Sequence, residues 1–183
     1  MEGPRCLIQV CHRDVDAIEP PRILQRPITN SGRPSLIKVN KLRERLEAAS
    51  FPDLGAMMEG YALGAVEAAT VEYREKLDFS AESINALDEI LVMVGEDPNI
   101  DLDFESRLWG SYLGEVLRRR YAGSWEMTQY PGGDMAVPAV DVRGSRLFPL
   151  LKVYRRLTLG DEEDLRSFFG MVTERLGNPA KVN

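Results

Sequence analysis

Histidine is nearly missing from this 183-residue chain, with His12 as its one example. Ser-His-Asp and Cys-His centres and His-rich zinc sites all need an imidazole in the folded body. Residues 13 to 183 contain none, which excludes those chemistries there. Cysteine is almost as scarce: Cys6 and Cys11 lie near the N-terminus, where a disulfide closes only a small loop, and they read as reduced thiols. With His12 they offer three metal ligands, but the spacing matches no common zinc module and no second Cys/His cluster follows, so no metal is expected. Long apolar runs are also missing. Stretches such as Ile90 to Val94 fall far short of the roughly 20 residues a membrane-spanning helix needs, and no apolar h-region follows Met1. The expectation is a cytoplasmic protein without membrane contact.

A phosphate cradle is lacking as well. Pro131-Gly132-Gly133 has neither the Lys nor the helix that must follow in a phosphate loop, so no nucleotide or other cofactor is expected. The net charge of -6 repels a phosphate backbone and disfavours nucleic acid as a partner.

What is present is the composition of a globular domain, 44% hydrophobic and 28% charged, which rules out a collagen-like or wholly disordered chain. Residues 1 to 38 hold Pro4, Pro20, Pro21, Pro27 and Pro34 without sustained periodicity and read as an irregular arm, in which Leu7 to Val10 form a short strand or pack onto the body. Residues 39 to 177 read as a single α+β domain and residues 178 to 183 as a tail. A short helix at about 38 to 49 precedes Ser50-Phe51-Pro52-Asp53, which starts a second helix running to about Lys76. Gly60 and Gly64 on that helix imply a close helix neighbour. Asp78-Phe79-Ser80 starts a third helix that ends near Gly95, and Asp101 or Asp103 caps a fourth that ends at Arg118 to Arg120. Beyond Ser124 the pattern changes to three short strands, Trp125 to Tyr130, Met135 to Val142 and Ser145 to Phe148, in an antiparallel meander. Pro149 restarts the chain as a segment through Leu157, and a last helix follows Gly160-Asp161. Helices before and after a small antiparallel sheet define the α+β class.

The charge is uneven. Residues 59 to 105 carry Glu59, Glu67, Glu72, Glu75, Asp78, Glu82, Asp88, Glu89, Glu96, Asp97, Asp101, Asp103 and Glu105 against Arg74 and Lys76. Asp97 to Glu105 opens like a calcium loop, but Leu102 stands where the sharp turn needs glycine and Leu108 where the bidentate Glu belongs. Helix capping in a solvated loop is the expected role. Basic residues collect at Arg118 to Arg120 and at Lys152, Arg155 and Arg156, two clusters that together could form a cationic cleft. Tyr112, Glu115, Arg118 and Arg119 share one helix at spacings of three and four, so Glu115 reaches Arg118 or Arg119. Trp109, Tyr112 and Trp125 are aromatic candidates for stacking on a ligand, with core packing as the plainer role. No second carboxylate is placed by spacing for paired acid–base work.

The segments Trp109-Gly110-Ser111-Tyr112-Leu113-Gly114-Glu115-Val116-Leu117-Arg118-Arg119, Gly123-Ser124-Trp125, Phe148-Pro149 and Lys152-Val153-Tyr154-Arg155-Arg156-Leu157 together resemble a family of uncharacterised bacterial proteins. The resemblance spans about residues 78 to 170 and implies neither an activity nor a cofactor. Physically, Gly110 and Gly114 clear one helix face for a close neighbour.

Two functions stand open on these residues. The first is a non-enzymatic, immunity-like or regulatory module that binds a basic protein through acidic residues, among them Glu72, Glu75 and Asp88. The second is an enzyme or small-ligand binder taking an anionic ligand with Tyr112, Glu115, Arg118, Lys152 and Arg155. A homo-oligomer built through apolar helix faces is a third, structural possibility.

Overall fold

A computed structural model describes residues 36 to 177, with side chains from Lys41 onward. The arm assigned to residues 1 to 38, with Cys6, Cys11 and His12, and the tail from 178 therefore lie almost wholly outside the described residues. Helix α1 (Leu36–Ala48) and helix α2 (Leu54–Ala68) follow the expected order, with Asp53 capping α2 by accepting the Ala56 N–H at 2.8 Å. Gly64 gives the predicted close packing: a Cβ there would lie 2.8 Å from the Leu46 side chain of α1. From Ala69 to Tyr73 the chain widens into a π-helical turn, ended by Arg74 in the left-handed region.

Helix α3 (Ser83–Gly95) starts later than Asp78-Phe79-Ser80 suggested. Phe79 has a φ of 62°, and the Ser80 hydroxyl accepts the Ser83 N–H, so this triplet forms a turn ahead of the helix. Helix α4 (Leu102–Tyr121) is capped by Asp101, which accepts the Phe104 N–H at 3.1 Å. Strands β1 (Ser124–Gln129), β2 (Ala136–Val142) and β3 (Ser145–Leu147) form an antiparallel sheet in the order β1-β2-β3. Trp125, Val140 and Leu147 stand side by side across it. The segment after Pro149 is helix α5 (Pro149–Leu159), with proline in the first turn where its missing N–H costs nothing. A 3-10 turn (Gly160–Glu163) leads to helix α6 (Leu165–Leu176), capped by Asp164.

α4 is the spine of this α+β fold. It is a 20-residue helix whose Phe104, Leu108, Trp109, Tyr112, Leu113, Val116 and Leu117 are buried in one cluster with side chains of the other helices and the sheet. The two glycines on it do what their spacing implied. A Cβ on Gly110 would lie 2.6 Å from the Leu150 Cα, and one on Gly114 would lie 2.2 Å from the Trp125 ring and 2.9 Å from Pro149. The start of α5 and the indole of β1 thus rest directly on the α4 backbone. No helix among the described residues is long and apolar enough to cross a membrane.

Candidate functional site

Because the Trp125 ring packs against Gly114, its indole N–H reaches the next residue of α4. Trp125 Nε1–H donates to Glu115 Oε1 at 2.9 Å. Arg118, one turn further along, grips the same carboxylate with Nε on Oε1 at 2.7 Å and Nη2 on Oε2 at 2.9 Å. Arg119 Nε adds a bond to Oε2 at 3.0 Å and sends Nη2 on to Glu59 of α2 at 3.2 Å. Glu115 reaches both arginines at once, and its side chain is 0% exposed. Burial pushes its carboxyl up, but the hydrogen bonds from Arg118, Trp125 and Arg119 outweigh that and hold it below its ordinary range.

The network continues through stacking. The Arg119 guanidinium lies 3.7 Å from the centre of the Phe79 ring, which stacks on Tyr112 with centres 4.9 Å apart. The Tyr112 hydroxyl accepts the Phe79 N–H at 2.9 Å and sits 2.6 Å from Ser83 Oγ. These contacts hold Phe79 in the left-handed backbone that a bulky residue otherwise avoids. Tyr112, Glu115 and Arg118 therefore do come together, as an interior scaffold tying α2, α3, α4 and β1. Tyr112 and Trp109 are core residues, and Trp125 is the half-buried cover over Gly114.

Lys152 and Arg155 belong elsewhere. Pro149 rests at Gly114 and Leu150 at Gly110, so α5 leaves the Glu115 end of α4 as it begins. Lys152 Nζ donates to Glu163 Oε2 at 2.7 Å and Arg155 Nε to Glu163 Oε1 at 3.0 Å. Burial raises the Glu163 carboxyl, and Lys152 and Arg155 together overcome it and hold it low. Arg156 Nε donates to Asp88 Oδ1 at 2.9 Å, and the Leu165 N–H caps the same oxygen at 3.0 Å. The expected shared cationic cleft is thus replaced by separate clusters, each closed by its own carboxylate: Glu115, Glu163 or Asp88.

Asp88 corrects the expectation of a partner-facing acid: it is buried between α3, α5 and the start of α6. Its place four residues after Ile84 and next to Leu87 already set it at the edge of the apolar face of α3. Glu72 lies in the π-helical turn and Glu75 just beyond it, both half-buried.

At the opposite end of α4 is a group whose significance the sequence reading missed. Glu105 Oε2 accepts the Trp109 indole N–H at 2.6 Å, and Tyr73, brought in by the π-helical turn, sets its ring edge-on to Trp109 at 5.9 Å. Burial lifts the Glu105 carboxyl to about 7; the Trp109 bond opposes this, and Asp101 and Asp97 add to it. Burial also drives the Tyr73 phenol well above its ordinary value, with Glu105, Glu72 and Asp97 adding to the rise. The available signal was the four-residue spacing of Glu105 and Trp109, which puts carboxylate and indole on one helix face. Such a carboxyl exchanges a proton near neutral pH; among the described residues no cation forms an ion pair with it, and the charge of Arg43 offsets only part of the rise. Among the described residues no group of His, Cys, Asp or Glu side chains is arranged to hold a metal ion. No family model matches the chain, and no curated protein or solved structure matches it either.

Proposed function

We propose that this protein is a non-enzymatic binding module that takes a basic protein partner, in an immunity-like or regulatory role. The observation that carries this reading is an asymmetry in how charge is used. The cations named for an anionic ligand are engaged internally, Arg118 by Glu115, Lys152 and Arg155 by Glu163. Glu75, Glu82, Glu96 and Asp97, by contrast, meet no basic side chain among the described residues. Carboxylates left without counter-charges steer and select a cationic partner, and that attraction weakens as salt screens it.

The anionic-ligand alternative loses its support for the same reason: its five residues are divided between two closed networks. The test is capture from an extract of the source cells by the wild type and by the E75K/E82K/E96K/D97K variant, at low and high salt. A basic protein retained by the wild type at low salt, and lost both at high salt and from the variant, is the expected result. An identical retained set for both proteins overturns the reading.

A further inference from the structure

Helix α3 presents two unlike faces, and among the described residues the only ion pair on its outer one is that of Glu89 with Arg166 of α6. Glu82 before it and Glu96 after it keep right-handed helical backbone, so the periodicity runs from 82 to 96. At about 100° per residue, Glu82, Asn85, Glu89, Val92, Met93 and Glu96 fall within an arc of about 100°, away from buried Ile84, Leu87, Ile90, Leu91 and Val94. Val92 and Met93 sit on this arc 44% and 45% exposed. The three glutamates are seven residues apart, about 10 Å along the axis at each step.

The fold itself shows what this stripe accepts. Arg166 of α6 places Nη2 3.1 Å from Glu89 Oε1, with its Nε 3.9 Å from Asp88 Oδ2. Glu82 and Glu96, one heptad to either side, meet no cation among the described residues. A second copy of the chain is a poor occupant, because α3 laid against α3 sets carboxylates against carboxylates. An anionic lipid surface is disfavoured for the same reason.

We propose that the outer face of α3 docks a basic amphipathic helix of a partner protein. Apolar side chains of that helix rest on Val92 and Met93, and Lys or Arg residues at seven-residue intervals meet Glu82 and Glu96. The proposal rests on the acidic-module reading and narrows it to one face and one partner shape.

The probe is a labelled synthetic Lys/Leu amphipathic helix of about five turns, long enough to span the arc, compared with a scrambled peptide of the same composition. Binding is read by fluorescence anisotropy at low salt. The wild type is expected to prefer the amphipathic peptide by about tenfold or more. V92S/M93S removes about tenfold of that affinity, and E82K/E96K removes at least as much together with most of the salt dependence. Equal binding of the two peptides, or V92S/M93S binding like the wild type with an unchanged melting curve, overturns the proposal. If those results come with persistent salt-dependent capture of a basic protein, the α3 face falls and the acidic reading stands. If capture is lost too, both fall.

Discussion

Helix α4 carries a buried glutamate, Glu115, and a half-buried one, Glu105, ten residues apart, and the helix treats them in opposite ways. Glu115 accepts hydrogen bonds from Arg118, Arg119 and Trp125, and its carboxyl is held below the ordinary range. Glu105 accepts one indole N–H, faces Asp97 and Asp101, and titrates at about 7. Desolvation pushes both carboxyls in the same direction. What separates them is the number and charge of their donors, so donor supply rather than depth decides whether a buried carboxylate stays ionised here.

The comparison is broken most forcibly by removing its better-supported member. E115A leaves Trp125 without an acceptor and two guanidiniums without their anion. We expect a loss of about 2–4 kcal/mol by chemical denaturation, below the cost for a wholly dry pair because both arginines reach solvent. E115Q, which keeps an acceptor for the indole, is expected to lose less.

G114A attacks the geometry instead, driving a Cβ into the Trp125 ring; a loss of about 1–3 kcal/mol and a shift in Trp125 emission are expected.

Titration sharpens the contrast at the other member. The folded Glu105 carboxyl binds its proton more tightly than the unfolded one. Its contribution is therefore greatest below the unfolded value of about 4.5 and is lost as pH rises through about 7. E105Q is expected to flatten that slope and to exceed the wild type in stability at pH 8 by on the order of 1–2 kcal/mol, measured by urea unfolding at several pH values. Glu115 has the opposite sign: its stabilisation is present above the unfolded value and disappears as pH falls through its lowered folded one. E115Q therefore removes stability at neutral pH and little in strong acid.

The smallest effect lies just past the helix. Ala122 ends α4 at a φ of 52°, and A122G should raise stability by about 0.5–1 kcal/mol in the same assay by relieving left-handed strain.

Most of the architecture could be read along the chain, because it rests on local signals. Apolar stripes, Asp101 as a cap, and the Pro-Gly and Arg-Gly turns placed the helices and the meander within several residues, although Asp53 takes the capping role expected of Ser50. Departures occurred where side chains distant in sequence decide the backbone. Tyr112 and Ser83 hold Phe79 in a turn, which delays α3, and the π-helical turn that delivers Tyr73 to Trp109 has no local marker. The site divided in the same way. Glu115 with Arg118 and Arg119 follows from spacing on one helix, whereas Trp125 joins them only through Gly114, and Lys152 finds Glu163 only once a 3-10 turn folds back. Asp88 shows the cost of reading charge without phase. Counted as a surface acid by composition, it is an interior ligand of Arg156 by position.

The central functional proposal is that Arg118, Lys152 and Arg155 are engaged internally while Glu75, Glu82, Glu96 and Asp97 are left for a basic partner. Its most direct test is the salt dependence of the captured partner's affinity for the wild type and for E75K/E82K/E96K/D97K. The account predicts wild-type affinity falling about tenfold or more between low and moderate salt, with a weak and nearly salt-independent interaction for the variant. Equal, salt-insensitive affinities for the two proteins would contradict it.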